Sequence, residues 1–237
     1  MRIVTVTAAV VLAVLAGLLV AKTRSDDHAS AEVRPVSITA TDTRPTLGVI
    51  GDSFAAGTAL GGAGGQGFPM MIADRIGWRW GTTAIGGTGY AAQLPGTLPY
   101  DAGQVDRMVA AHPDVLVVEG SQNDGRADVE AVGSAATALY THLRSALPRT
   151  RIVVVGPVAS NSAQATALTG LDARVGAAAR AAGLPYVDAI AEGWFTDAQS
   201  ALIGDDRIHP TWAGHQRIAD LLGADLTRLG ALPAPRV

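Results

Sequence analysis

Thr46-Leu47-Gly48-Val49-Ile50-Gly51-Asp52-Ser53-Phe54 is the stretch around which the rest of the chain is organised. A short apolar run stops at Gly-Asp-Ser and passes into the small residues Ala55-Ala56-Gly57. A buried strand ending in such a turn places a serine at the carboxyl end of a sheet, where open α/β sheets hold their ligands. A helix starting just after Ser53 would aim backbone N–H groups and a positive dipole end at the same spot, which suits a developing oxyanion. The same residues also fit an ordinary strand–turn–helix with a capping Asp or Ser. The decision therefore rests on residues about 150 positions downstream.

The pattern of the first strand, Thr46 to Ile50, recurs along the chain. Val115 to Glu119 is a continuous apolar run, as in a parallel strand covered on both faces. Trp78 to Ile85 predicts a second strand, Arg151 to Val155 a fourth stopped by Gly156-Pro157, and Pro185 to Val187 a short fifth. Between them, helices are predicted over 68–76, with proline at the start, and over 101–111, 171–182 and 212–229. The clearest spans 128–147, with Val132, Ala136, Leu139, Leu143 and Leu147 at helical spacing. This alternation predicts a three-layer α/β/α domain with a five-stranded, mostly parallel sheet. Gly57 to Gly67 lacks the Lys-Ser/Thr ending of a phosphate loop and is expected to be a mobile surface loop. Residues 91–100, with two prolines, are expected to be a second loop.

With 237 residues the chain can bury one full α/β core. A net charge of −3, without a basic stripe, gives no footprint for nucleic acid. The absence of cysteine excludes disulfides, thiolate catalysis and cysteine metal sites. No histidine pair stands at metal spacing, and no cofactor is expected. Ile3 to Ala21 is uncharged and close to the ~18–20 residues that span a bilayer. Residues 1–21 are thus expected to be a membrane anchor or signal segment, 22–45 a polar tether, 46–230 the folded domain and 231–237 a tail. The expected location is extracytoplasmic, with the N-terminal segment as the membrane attachment.

Three strand ends carry chemically suggestive residues: Ser53, the glycines of 86–89, and Asn123. A fourth element, Asp206-Arg207-Ile208-His209-Pro210, precedes the last helix. Acyl transfer needs a nucleophile, a base, a group that orients the base, and donors for the tetrahedral oxyanion. Ser53 fits the nucleophile, His209 the base, and Asp206 the partner that fixes the tautomer. Backbone N–H groups of Ser53 and Gly87, with the Asn123 amide, fit the oxyanion donors. Asp205 competes with Asp206 for the orienting place. Asp188 is expected in a turn, His215 in a structural or surface role, and His28, His112 and His142 outside the chemistry. Trp194 and Phe195 fit either an acyl pocket or a lid over the core. Ala55 two residues after Ser53 argues against the Gly-x-Ser-x-Gly elbow of an α/β-hydrolase.

These blocks resemble the SGNH (GDSL) hydrolase family. The serine block is Gly51-Asp52-Ser53-Phe54 and the glycine block Ile85-Gly86-Gly87-Thr88-Gly89, with Thr82 where an upstream asparagine is common. The asparagine block is Ser121-Gln122-Asn123-Asp124, with Ser121 where a glycine is common, and the last is Asp206 to His209, followed by Pro210 and Gly214-His215. The resemblance covers about residues 46–230. It implies a flavodoxin-like fold and a cofactor-free serine esterase that works through an acyl-serine. It places the oxyanion glycine at Gly87, ahead of Gly86 and Gly89. Members of the family act on lipids, acetylated glycans, thioesters and simple esters, so the implied partner is an acyl ester of a small molecule, glycan or lipid. Gly57 to Gly67 and Pro95 to Asp101 offer few large apolar side chains, so short acyl groups are expected to be favoured. An acyltransferase would use the same triad, with an alcohol replacing water. A non-catalytic binding module would be expected to have lost Ser53, Asn123, Asp206 or His209, and all four are present.

Overall fold

The computed structural model describes residues 42–91, 98–100 and 102–233, all within one compact unit, Ala31–Val237. The predicted anchor, most of the tether and most of the Pro95 to Asp101 loop lie outside the described residues. Among those described, no helix is long and apolar enough to cross a membrane.

Five parallel strands form the central sheet: β1 (Thr46–Ile50), β2 (Arg79–Thr82), β5 (Val115–Glu119), β6 (Arg151–Val155) and β7 (Tyr186–Val187), in the order β2-β1-β5-β6-β7. β3 (Thr88–Gly89) and β4 (Leu98–Pro99) make a separate parallel pair. The helices are α1 (Ser53–Ala56), α2 (Phe68–Ile76), α3 (Ala102–Ala111), α4 (Val129–Ala146), α5 (Ser162–Ala181) and α6 (Trp212–Arg228).

The three layers follow from the twofold alternation of side chains along each strand. Leu47, Val49, Val115, Val117, Val153 and Val155 pack with Ile72 and Ile76 of α2 and with Ile218, Leu222 and Leu226 of α6. Ile50, Leu116, Val118, Ile152 and Val154 pack with Met108 of α3, Val132 and Leu143 of α4, and Leu171 and Val175 of α5. Because both faces are covered, β1 and β5 read as unbroken apolar runs rather than alternating ones. The expected fold class is the observed one.

Several boundaries differ from expectation. β2 is shorter than Trp78 to Ile85. α5 begins nine residues before Leu171, at Ser162, with Asn161 accepting from the Gln164 N–H as its cap. Its first turns, Ser162 to Gly170, face mostly solvent and bury only Leu168, so alanine propensity and the cap set them rather than apolar periodicity. Gly57 to Gly67 is a packed loop, not a loose surface one. Gly57, Gly62, Gly65 and Gly67 are buried, and a Cβ on Gly57 (φ +72) would lie 1.8 Å from the Gly62 carbonyl oxygen. Ala231 and Leu232, expected in the tail, are buried in the core beside α6.

Candidate active site

β1 delivers Ser53 three residues beyond its end, as the first residue of α1. Asp52 caps that turn, its Oδ1 accepting the Phe54 N–H at 2.8 Å, and Gly57 closes it by donating to the Ser53 carbonyl at 3.0 Å. The capping alternative therefore holds, at Asp52, with Ser53 as the next residue. The dipole expectation does not: four residues sum too few peptide dipoles. What α1 offers at Ser53 is local N–H groups.

The partner of Ser53 arrives on a tight hairpin. An antiparallel bridge joins Ile203 to Pro210, Gly204 N–H donates to the His209 carbonyl, and Arg207 N–H to the Gly204 carbonyl, both at 2.8 Å. Asp206 Oδ1 accepts the backbone N–H groups of Ile208 (2.9 Å) and His209 (3.0 Å). Its Oδ2 lies 2.6 Å from His209 Nδ1, and His209 Nε2 lies 2.9 Å from Ser53 Oγ. A carboxylate accepting from Nδ1–H leaves the Nε2 lone pair to face the serine hydroxyl. Slight burial pushes the Asp206 carboxyl up, but hydrogen bonds from the His209 ring and the two backbone N–H groups outweigh it, so the carboxyl sits below its usual range. Asp205 is exposed on the same hairpin, and the bonds to His209 go to Asp206. The three-residue spacing sets the Asp206 carboxylate, not that of Asp205, against the imidazole.

On the other side of Ser53, a Cβ on Gly86 would lie 3.6 Å from Ser53 Cβ, and Gly87 follows at φ +77. Asn123 stands in a 3-10 turn, Gln122–Asp124, just past β5. Its Nδ2 donates to the Thr88 carbonyl at 2.8 Å and makes a longer contact, 3.3 Å, with Asp52 Oδ2. Ser121 uses its hydroxyl here, 3.0 Å from Asp52 Oδ2 and 2.8 Å from the Thr88 carbonyl. Asp124 accepts the N–H groups of Tyr90 (2.7 Å) and Ala91 (3.0 Å). A buried polar belt thus fastens the serine, glycine and asparagine blocks to one another. Thr82 bridges β2 to β1 by donating to the Val49 carbonyl at 3.0 Å.

Sequence reasoning gave Asp52 only a cap and did not single out Glu119, yet both carboxyls are buried at the Ser53 turn. Burial pushes the Asp52 carboxyl up to about 6, against the opposing hydrogen bonds from Phe54 N–H and the Ser121 hydroxyl. Glu119, 2% exposed, is raised well above its usual range by burial and by neighbouring Asp52. It also explains the glycine of the serine block, because a Cβ on Gly51 would lie 2.5 Å from Glu119 Oε2. The available signal was an acidic residue closing an otherwise apolar strand.

The remaining candidates fall outside the chemistry. Asp188 Oδ1 accepts the Ala191 N–H at 2.7 Å, a turn role. Trp194 and Phe195 are buried in the core. His215 is buried and structural: its Nε2 donates to the Gly61 carbonyl at 3.1 Å, and its ring stacks on Phe68. Burial pushes its pKa down to about 4. His112 and His142 are exposed, and His28 lies outside the described residues. Among the described residues, no group of three or more His, Cys, Asp or Glu is placed to hold a metal ion. A cavity of about 500 Å³ lies between α2 and α6 and another of about 270 Å³ lies beside Leu147 and Pro148; Ser53, Asn123 and His209 line neither.

Residues 49–217 match the GDSL-like lipase/acylhydrolase family. The chain belongs to this family. A GDSL lipase of Mycobacterium tuberculosis is 32% identical over 187 residues, covering 73% of this chain and 78% of that protein. Among solved structures, a family two carbohydrate esterase from Clostridium thermocellum in complex with cellohexaose superposes with a TM-score of 0.61 at 20% identity, covering 82% of this chain and 68% of the other. The psychrotrophic esterase EstA from Pseudoalteromonas sp. gives a TM-score of 0.57 at 15% identity, covering 79% and 99%. At these identities the structural likeness shows the fold. The GDSL acylhydrolase assignment rests on the family match and the lipase relative.

Proposed function

We propose that this GDSL-family protein is an extracytoplasmic serine esterase that hydrolyses O-acyl esters, preferring short acyl groups, through an acyl-serine intermediate. The observation that carries the reading is the chain of contacts from Ser53 Oγ to His209 Nε2 (2.9 Å) and from His209 Nδ1 to Asp206 (2.6 Å). His209 takes the Ser53 proton as Oγ attacks the ester carbonyl, then returns it to the leaving alcohol. Water repeats the cycle on the acyl-serine. The Ser53 and Gly87 N–H groups and the Asn123 amide hold the oxyanion, the amide exchanging its long contact with Asp52 for the developing charge.

Short acyl groups are supported by the scarcity of large apolar side chains in the Gly57 to Gly67 loop that follows Ser53. Extracytoplasmic placement is supported by the uncharged run Ile3 to Ala21. The test is turnover of 4-nitrophenyl esters from acetyl to dodecanoyl by the full chain and by Ser53→Ala, with mass detection of an acyl adduct on Ser53. A steady rise in kcat/KM with chain length would overturn the acyl preference, and an active Ser53→Ala the mechanism. Acyl transfer to added glycerol in preference to water would favour the acyltransferase alternative.

A further inference from the structure

The large hydrophobic side chains that stay exposed among the described residues are Leu60, Leu98, Val129, Ile208 and Trp212, at 40, 62, 39, 44 and 51%. Leu60 lies between β1 and α2, Leu98 in β4 between β2 and α3, and Val129 opens α4 after β5. Ile208 precedes His209, and Trp212 opens α6. In a parallel sheet each of these connections leaves from the carboxyl edge, the edge that carries Ser53, Asn123 and His209. Scattered single hydrophobics need no explanation. Five on four connections around one nucleophile do. Packing ties Leu60 to the segment that carries Ile208 and Trp212: it lies against Gly204 at the base of the histidine hairpin, where a Cβ would come within 2.7 Å of its Cδ1. Gly61 rests on the backbone of Thr211 and Trp212.

We propose that this edge docks on a lipid–water surface, so that the serine site works on esters of amphiphilic alcohols held in a bilayer; this rests on the esterase reading above. A protein seated on all five side chains would cover Ser53, whereas a lipid surface delivers the ester to it. A tryptophan ring suits the headgroup region, with an apolar body and a polar N–H. Exposed Arg126 and Arg207 are interspersed with exposed Asp128, Asp205 and Asp206. The edge therefore lacks a strong field of one sign and matches zwitterionic headgroups. The uncharged run Ile3 to Ala21 is joined to Asp42 by residues 22–41, which reach up to about 70 Å when extended. A chain of that reach lets the catalytic edge meet the same surface. The Gly57 to Gly67 loop that follows Ser53 offers few large apolar side chains, so the long chain of such an alcohol stays in the lipid while the acyl end reaches the serine.

The experiment compares two acetyl esters on the full chain: soluble 4-nitrophenyl acetate, and hexadecyl acetate dispersed in phosphatidylcholine vesicles. Both esters give the same acetyl-serine, so deacylation is common to them, and the difference in leaving group cancels when the ratio for a variant is compared with that for wild type. In Leu98→Ser/Ile208→Ser/Trp212→Ser the ratio of vesicle to soluble turnover should fall at least about tenfold against wild type. Trp212 is the exposed tryptophan, Trp78 and Trp80 being half-buried and Trp194 buried, and residues 1–41 contain none. Brominated-acyl phosphatidylcholine should therefore quench wild-type emission, and Trp212→Phe should remove most of that quenching. An unchanged ratio, or quenching that survives Trp212→Phe, overturns the docking surface. So does a wild-type dimer that the triple variant splits without changing the ratio, which would assign the edge to a second copy. Quenching without turnover of either ester refutes the esterase reading and leaves the docking intact; soluble turnover without quenching does the reverse.

Discussion

Asp206→Asn separates a tautomer-holding carboxylate from a merely structural turn residue. The asparagine carbonyl can keep both backbone bonds now made by Oδ1, to Ile208 and His209 N–H, so the hairpin should fold. The amide NH₂, however, replaces Oδ2 at 2.6 Å from His209 Nδ1. Two donors cannot face each other there, so Nδ1 must become the acceptor and the ring proton moves to Nε2. That nitrogen, 2.9 Å from Ser53 Oγ, then has no lone pair to receive the serine proton. For a buried triad aspartate the same change costs ~10⁴ in kcat. The Asp206 side chain is 36% exposed, and solvent screens part of its interaction with the imidazolium. The expected loss is therefore ~10²–10³, or about 3–4 kcal/mol of barrier. Steady-state kinetics on 4-nitrophenyl acetate should place the loss in kcat, with KM little changed, and Asp206→Glu should recover part of it. A folded Asp206→Asn within about tenfold of wild type would refute the reasoning; a crippled Asp205→Asn beside it would move the orienting role by one residue.

Asn123→Ala should cost ~10²–10³ in kcat, the usual loss for one oxyanion donor, with about 1 kcal/mol of stability from the bond to Thr88; a loss under about threefold would remove it from the oxyanion site. His215 gives a pH signature. Its folded pKa of about 4 lies below the ordinary 6.5, so the unfolded chain takes up the proton first. The neutral ring's contribution is complete above about pH 6.5 and is lost as pH falls toward about 4, roughly 3 kcal/mol in all. His215→Phe keeps the stack on Phe68 and leaves the Gly61 carbonyl with the Thr58 N–H as its donor, and it should lose less stability on acidification than wild type. Parallel acid slopes for the two proteins, followed by calorimetry, would contradict that.

What was legible in the sequence is what is local along the chain. β1 and β5 announce themselves because burial on both faces forces unbroken apolar runs, and each stops at residues that can only begin a turn. The hairpin from Asp206 to His209 is equally local, with its orienting bonds spanning three residues. The polar belt was not legible. Asp52 meets Ser121 across 69 positions and Asn123 across 71, and nothing in a linear pattern pairs them. Glu119 hid as the last residue of a strand, although it and Ala55 together crowd the place of a side chain at position 51. The packing of Gly57 to Gly67 was missed for a different reason: glycine reports backbone freedom, not where the chain goes. The early turns of α5 were missed because they bury almost nothing, and periodicity exists only where there is a core to face.

Ser53 and His209 stand 156 positions apart, at opposite ends of the folded domain, and this has a consequence for the life of the newly made chain. At ~5–20 residues per second of synthesis, the serine leaves the ribosome roughly 8–30 s before its proposed base exists. The histidine hairpin also needs β7 and the first turn of α6 before it can close. Through that interval the serine is an ordinary alcohol. On the esterase reading, the protein is silent until the hairpin from Asp206 to His209 has been made and closed.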